Sequence, residues 1–515
     1  MSRIYNRTGK KRVGRSAFDL SYSKLFTCDM GQLIPVMCDE VVPGDVFRIS
    51  NELVIRFNPI LAPILHEINA FVHYFFVPYR ILWDDWETFI TRGLDGDQEP
   101  PLPRWSPGQA YTQLETLWDY FGFPVDININ PSNADYCPVD FPKRAYNMIW
   151  NEYYRDRNIM AEQDLLQEHL TPLRRCWEKD YFTSSLPWQQ RGTAPALPIT
   201  GVANLSFPGF TSLPMSSTAI NQGAQIPGSS PLTTIALSTN PNSAQGANQL
   251  VGYLNSGQVD FSNATTFDVS DLRLAFQVQR WMELNARAGN RYTEFLKAHF
   301  PASPRDDRLQ RPEYIGGSKS PIIISEVLQT APPTDQKNSP QGNMAGHGMG
   351  VDRTRVTSCR VQEFGLIIGL LSVMPRTMYD GLTDRQWLRE TTFDYYFPEF
   401  QHLSEQAIEI RELYSDAGSN YSEIGKRIFG YQGRYNEMRS KHSQVCGKMR
   451  TDFQHWHLAR TFETEPALSG QFLECNPRKN IFAVTDEPGL IVHINNRIRA
   501  VRPMTAIPVP GLIDH

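Results

Sequence analysis

No stretch of this sequence is long and apolar enough to span a membrane. The longest apolar run, Phe364 to Met374, is interrupted by glycines and falls well short of the ~20 residues a span requires. The basic first residues have no apolar stretch behind them, so no secretory leader is visible, and a soluble protein kept in the cytoplasm is expected. The seven cysteines (28, 38, 137, 176, 359, 446 and 475) are odd in number, and no two have CxxC spacing. Zinc ribbons and thioredoxin-like sites are therefore unsupported, a disulfide framework does not suit so large a chain, and reduced, mostly buried thiols are expected.

Catalytic signatures are also missing. GxxxxGK[ST], GxSxG and HExxH do not occur, and Gly447-Lys448 lacks the upstream glycine of a phosphate loop. The glycine-rich stretch Gly342 to Gly350, with His347, lacks the spacing and strand–helix context of a dinucleotide fingerprint and reads as a flexible loop. His455-Trp456-His457 offers two imidazoles on one face of a strand, but no third ligand can be named. Two surface or interface histidines are expected there, with no metal and no other cofactor. Acids are scattered throughout, and nothing singles out a catalytic pair. Three glycosylation sequons, at Asn204, Asn263 and Asn420, mean nothing without a secretory signal. No reaction emerges from the sequence.

The most local absence is of charge. Residues 192–259 contain no Asp, Glu, Lys or Arg and are rich in Ser, Thr, Asn, Gln, Gly, Pro and Ala. Disordered linkers share that composition. Ile199, Val202, Leu205, Leu232, Ile235, Leu237, Leu250 and Val251 nevertheless supply apolar groups for short strands, so an ordered, exposed protrusion is the favoured expectation.

Elsewhere charge is plentiful but uneven. Residues 1–18 hold Arg3, Arg7, Lys10, Lys11, Arg12 and Arg15 and no acid, while the remaining residues hold 44 bases and 55 acids. A cationic arm on an acidic body suits contact with nucleic acid through the arm, and a solvated terminus would look the same on charge alone.

With 41% hydrophobic residues, the 515-residue chain can bury a large core, and its 37 prolines suit many short strands joined by long loops. Alternation predicts strands over Asp45–Phe57, Glu67–Val77 and Ile491–Val501, and Val361–Met374 reads as a strand buried on both faces. Since these lie hundreds of residues apart, a β-sandwich with large inserted loops is expected. The loops should carry helices. One starts at an N-cap Ser270 and packs Leu274, Val278, Trp281 and Met282; weaker candidates are Lys143–Arg157 and Tyr435–Arg450. Aromatic residues crowd into Trp83–Trp86, Phe393–Pro398 and Trp177–Phe182, a composition common to permanent interfaces and cores.

Several longer motifs recur in order along the chain: Arg15-Ser-Ala-Phe-Asp-Leu-Ser-Tyr-Ser-Lys24, Trp177-Glu-Lys-Asp-Tyr-Phe-Thr-Ser-Ser-Leu-Pro-Trp188, Leu272-Arg-Leu-Ala-Phe-Gln277, Arg291-Tyr-Thr-Glu294, Leu309-Gln-Arg-Pro-Glu-Tyr-Ile-Gly-Gly317 and Pro510-Gly-Leu-Ile-Asp514. On these the chain resembles the major capsid proteins of microviruses, the gokushovirus branch in particular. The resemblance implies a mainly β fold, an eight-stranded antiparallel jelly roll with long insertions containing helices. It also implies pentamers that build a small T=1 icosahedral bacteriophage capsid around a circular single-stranded DNA genome. Implied partners are further copies of itself, the single-stranded DNA, a small basic DNA-binding protein, scaffolding and pilot proteins, and a bacterial surface receptor used in host cell attachment. The chain would reside in the virion after assembly in the host cytoplasm.

The organisation expected is a basic arm (1–18), a first part of the jelly roll (19–190), an uncharged surface insertion (191–265) protruding at the threefold axes, and the remaining strands and loops (266–515). Loops should supply most intersubunit contact, and the six arm cations should face inward onto phosphates. A β-sandwich receptor-binding or spike protein of a phage is the alternative, although repeats and trimerising heptads are lacking. A carbohydrate-active enzyme on a jelly roll is a third class that fold alone does not remove.

Overall fold

The computed structural model describes residues 14–126, 137–195, 269–289, 291–300, 304–328, 344–353, 357–414 and 425–507. The chain divides into two compact units, residues 192–282 and the rest. All the described strands belong to the second of these.

Two antiparallel sheets make its framework. The larger has the order β1 (Ser16–Asp19), β13 (Leu490–Arg502), β4 (Val46–Phe57), β8 (Met344–Arg353), β7 (Ile323–Leu328). Along its path β2 (Tyr22–Cys28) continues β1 beside β13, and β9 (Thr357–Arg360) lies beside β4. The smaller sheet has the order β3 (Ile34–Val41), β10 (Gly365–Pro375), β5 (Ile68–Pro78), β6 (Glu313–Pro321). From β2 to β5 the chain alternates between the sheets, and the interleaved orders are those of a jelly roll. A separate hairpin joins β11 (Glu405–Glu409) and β12 (Ile428–Gly433).

All four strands expected from the sequence are present, and they are central. β13 pairs with β4 from Leu490↔Phe57 to Val501↔Val46. β10 pairs with β5 from Gly365↔Pro78 to Pro375↔Ile68. The excursions between strands are long, from Pro78 to Glu313 and from Pro375 to Leu490, as a sandwich with large insertions requires.

The alternation follows the solvent. In β13, Leu490, Val492, Ile494, Ile498 and Ala500 point into the sandwich, while Ile491, His493, Arg497 and Arg499 point out. β10 is buried at every position. Ile367, Leu371 and Val373 meet Ile49, Leu53 and Ile494 between the sheets. Ile368 and Leu370 face the other way, onto Trp105, Trp118, Tyr146 and Trp150 of the inserted segment. Among the described residues the four-stranded sheet is thus covered on both sides and the seven-stranded sheet on one.

The covering segment is fixed by polar anchors as well as rings. Tyr146 sits on the helix Phe141–Ile149, and its hydroxyl donates to the Leu33 carbonyl (2.9 Å) and accepts from the Leu173 amide (2.9 Å). Lys143 is buried against Asp140 (3.2 Å) and Glu168 (2.7 Å). The helix expected over Lys143–Arg157 turns into a π-helical turn at Trp150–Tyr154 and stops before Arg155, which is extended.

Three expectations are corrected. Tyr435–Arg450 is not a helix; it contains short 3₁₀ turns at Asn436–Met438 and Gly447–Arg450. Tyr435 has a left-handed φ of 61°, and Gln444 bridges to Tyr379, so tertiary pairing overrides the apolar period. The glycine-rich stretch ending at Gly350 is not a loop throughout, because Met344–Arg353 is strand β8. A Cβ at Gly348 would lie 2.8 Å from the Phe57 ring, and one at Gly350 would lie 3.1 Å from Ile322, so these glycines admit neighbours that a side chain would exclude. The helix near Ser270 begins at Val269, and Leu274 and Trp281 on it are exposed where packing was expected.

Candidate functional site

Of the six arm cations, Arg3, Arg7, Lys10, Lys11 and Arg12 lie outside the described residues. Arg15 is described and exposed, one residue before β1. The arm therefore joins the body at the edge of the seven-stranded sheet. Of the uncharged segment, residues 196–265 lie outside the described residues.

The motifs that carried the resemblance have structural duties. In the first, β1 and β2 pair with successive parts of β13, and Lys24 Nζ donates to the carbonyls of Pro35 (2.9 Å) and Tyr120. Burial lowers the Lys24 pKa to about 8. In the second, the Asp180 carboxylate accepts from the amides of Phe182 (3.0 Å) and Thr183 (2.8 Å) and from the Tyr379 hydroxyl (2.7 Å). In Arg291–Glu294, the Glu294 carboxylate accepts from the Arg291 amide (2.9 Å), and the guanidinium donates to the carbonyls of Asn151 (3.3 Å) and Arg155 (3.0 Å). Gly317 lies against β5, where a Cβ would come within 2.4 Å of the Val72 carbonyl oxygen.

Three of these motifs border a large cleft, about 1250 Å³, floored by His73 and Phe75 of β5 and Tyr314 of β6. Nothing in the sequence analysis singled it out. The available signal was that His73 and Phe75 fall on the face of β5 opposite Val72, Tyr74 and Phe76. Arg175 lies over the rings of Phe71 (4.3 Å) and Tyr154 (5.6 Å) and donates to Ser372 Oγ (3.2 Å). His73 Nδ1 is 2.8 Å from the Tyr154 hydroxyl, and burial, then the Arg175 charge, lowers the His73 pKa to about 4. At neutral pH this imidazole is uncharged and weakly basic. The cleft carboxylates Asp156, Glu294 and Asp306 are ion-paired with Lys179 (2.6 Å), Arg291 (3.2 Å) and Arg311 (2.5 Å). Groups so engaged tie segments together; of the other lining carboxylates, Glu178 pairs with Lys319 (2.9 Å), and burial raises the Glu313 pKa.

The histidine pair is divided. His457 is buried, with Nε2 2.8 Å from the Met449 carbonyl and Nδ1 accepting from the Ala459 amide (3.1 Å). His455 lies in a 3₁₀ turn, not a strand. Among the described residues no group of three or more His, Cys, Asp or Glu could hold a metal ion, and no helix is long and apolar enough to cross a membrane. All seven cysteines are free; Cys28, Cys137 and Cys475 are buried, Cys38, Cys176 and Cys359 half-buried and Cys446 exposed.

The aromatic motifs divide as well. Trp83 and Trp86 pack on the cluster around Phe141, and Trp177, Tyr181 and Phe182 are buried. Phe393, Tyr395, Tyr396 and Phe397 are exposed, beside Arg389 over the Tyr395 ring (4.9 Å). Exposed aromatics and arginine together are the composition of an interface core.

The open side of the seven-stranded sheet is a further large surface. Arg499 on β13 stands directly opposite Arg48 on β4, and Asp19 on β1 flanks Arg499 on its other side. The Asp19 carboxylate is already engaged by the Ser21 amide (3.0 Å) and hydroxyl. Arg48 and Arg499 meet no carboxylate among the described residues. Arg497 pairs with Glu52 (2.8 Å). Toward the other end of the strands the same face is mainly apolar, with exposed Leu25, Ile491, Val351, Met349 and Ile323 around exposed Arg56, which stands between Ile491 and Met349.

Comparison with known proteins agrees with this architecture. The family described as capsid protein (F protein) matches residues 8–512. Capsid protein VP1 of Chlamydia phage 1 is 32% identical, over 97% of this chain and 96% of its own length. Capsid protein VP1 of Bdellovibrio phage phiMH2K is also 32% identical, over 96% and 95%, and that of Spiroplasma virus 4 is 29% identical, over 97% and 96%. With a jelly-roll framework, surfaces rich in arginine and apolar groups, and a match along nearly its whole length, the chain belongs to the phage capsid protein (F protein) family, as the microvirus resemblance implied.

Proposed function

We propose that this chain is the major coat subunit of a T=1 icosahedral shell, assembled through pentamers, that encloses a circular single-stranded DNA genome. The family match over residues 8–512 carries the reading, because it spans framework and insertions alike. Self-association is then the activity, with no catalysis, and the ion-paired, backbone-bound polar groups of the cleft over β5 and β6 suit a structural duty. Shell building needs contacts of roughly 2,000 Å² or more per major interface. Loops supply most of that area, since the central strands are committed to their own sheets. The uncharged segment (191–265) projects outward at the threefold axes; without ions to desolvate, close contact between copies costs little there. Receptor binding in host cell attachment is assigned to that outer surface.

The arm serves the interior. DNA brings negative charge against a body with 44 bases and 55 acids, and residues 1–18 are the segment that offsets it. Arg3, Arg7, Lys10, Lys11, Arg12 and Arg15 contact phosphates without reading sequence, with a salt slope of about −0.7 per contact on a single strand. A small basic protein shares the neutralisation, and scaffolding and pilot proteins act during assembly. Electron microscopy of particles made by the expressed chain tests the shell: closed particles of one small size and icosahedral symmetry are expected, and amorphous or fibrous material overturns it. Replacing the six cations with Gln tests the arm. Shells should form but hold less DNA at raised salt; normal packaging in unstable shells would assign the arm to subunit contacts.

A further inference from the structure

The open face of the seven-stranded sheet carries a cost that one subunit does not offset. Like charges directly opposite one another on neighbouring strands are destabilising. Arg499 and Arg48 are such a pair, both exposed, and Asp19 beside them is already bound to Ser21. Exposed Arg360 on β9 adds a further cation at that end of the sheet. At the other end, Leu25 is 74% exposed, Val351 67% and Ile323 72%. A surface that carries cations and exposed aliphatic groups together, with exposed Arg56 standing between Ile491 and Met349, calls for an occupant that offers carboxylates and apolar groups together. A nucleic-acid strand matches the cations but leaves the aliphatic groups unmatched.

The chain itself displays such an occupant between Trp83 and Pro100. Trp86 lies against Tyr79 (ring centroids 4.7 Å) and Phe141 (6.0 Å), and Trp83 against Phe89 (5.7 Å), so the base of the segment is fixed to the covered sheet's insertion. Beyond that base, Asp84, Asp85, Glu87, Asp95 and Asp97 are exposed and meet no cation among the described residues, while Arg92 pairs with Glu99 (3.1 Å). Leu94 is fully exposed at the tip and Ile90 is 45% exposed. The tip is shaped by left-handed backbone at Arg92, Gly93 and Gly96.

We infer that the open sheet face of one subunit docks the acidic segment Trp83–Pro100 of a second copy. Its carboxylates meet the arginines of the face, Arg48, Arg499, Arg360 and Arg56, and Leu94 and Ile90 meet the exposed aliphatic groups there. Because one chain carries both patches, the contact is heterologous: it repeats from copy to copy around a closing ring. The inference rests on the shell reading for the existence of neighbours and on charge and apolar complementarity for which surfaces meet.

Charge reversal tests it in the full chain. R48E/R499E should lower the yield of closed particles at least tenfold while leaving the melting temperature of the subunit unchanged, because both side chains are exposed. Adding Asp95→Arg and Asp97→Arg to that variant should restore particles. Particles at wild-type yield from R48E/R499E, or failure of the fourfold variant to recover them, overturns the contact. Normal shells that have lost DNA also overturn it and assign the face to the genome. Sedimentation of unassembled subunits separates this contact from the shell reading. If the wild-type chain makes no closed particles but still associates in a salt-sensitive way that R48E/R499E abolishes, the contact stands and the shell falls. If it shows neither particles nor such association, the contact falls too.

Discussion

The two sheets of this jelly roll are built from similarly apolar strands yet have opposite fates. Every residue of β10 is buried, whereas β13 alternates buried and exposed along most of its length. The difference lies outside the strands: the segment containing Trp105, Trp118 and Phe141–Ile149 covers the four-stranded sheet. The seven-stranded sheet has no such cover on its outer face among the described residues, and Arg48, Arg499, Leu25 and Val351 are exposed there. A shell subunit has reason to keep one sheet finished and the other open. On the contact inferred above, the open sheet is the surface that a neighbouring copy covers.

That contrast is sharpest when the covered sheet is emptied. Leu370→Ala on β10 removes a fully buried side chain from the cluster beneath the inserted segment and is expected to cost about 4 kcal/mol, read from the denaturant midpoint. A cost below about 1 kcal/mol would mean that the covering segment collapses onto the gap and the sheet is not a fixed platform.

Next in size is the ionic anchor of the cover. Lys143→Ala leaves the buried Asp140 with Arg144 (3.0 Å) and Glu168 with the Trp105 indole (3.0 Å), and it removes two ion pairs and a buried stem, so about 3 kcal/mol should be lost. Limited proteolysis should then cut between residues 100 and 170 before it cuts the strands. Equal resistance throughout would unlink cover from anchor.

Edge strand β3 of the covered sheet carries a half-buried titratable group, Asp39. Burial raises the Asp39 pKa to about 6, partly opposed by the Arg502 charge. The folded state therefore holds this proton more tightly than the unfolded chain, whose value is about 4. Stability from this group is fully present below that value and is lost as pH rises toward and through 6, by about 2 kcal/mol. Asp39→Asn should flatten that part of the pH profile and stabilise the subunit above pH 7. An unchanged profile would place the carboxyl in water.

The smallest effect belongs to the open face. Arg48→Gln relieves repulsion from Arg499 and should change subunit stability by less than about 0.5 kcal/mol, in the stabilising direction. Destabilisation by more than about 1 kcal/mol would show that the arginine serves its own fold, and the comparison between finished and open sheets would fail.

Much of the framework was legible in the residues. Period-two alternation marked β4, β5 and β13, because one face meets water or a different cluster from the other; continuous apolarity marked β10. The glycines of β8 misled, since their lack of side chains signals flexibility locally and close packing against Phe57 and Ile322 tertiarily. Tyr435–Arg450 misled for the converse reason, an apolar period serving pairing with Tyr379.

Sequence by itself determined the class of fold, the family, the separation of positive arm from acidic body and the absence of any recognisable reaction. Each of these depends on which residues occur and in what order. Only the tertiary structure decided that β4 lies beside β13 and β5 beside β10, that Trp83 and Trp86 are anchors while Phe393–Phe397 are exposed, and that Arg48 faces Arg499. Those outcomes depend on contacts between residues up to some hundreds of positions apart, and local periodicity carries no record of which distant strand completes a sheet or which face an insertion covers.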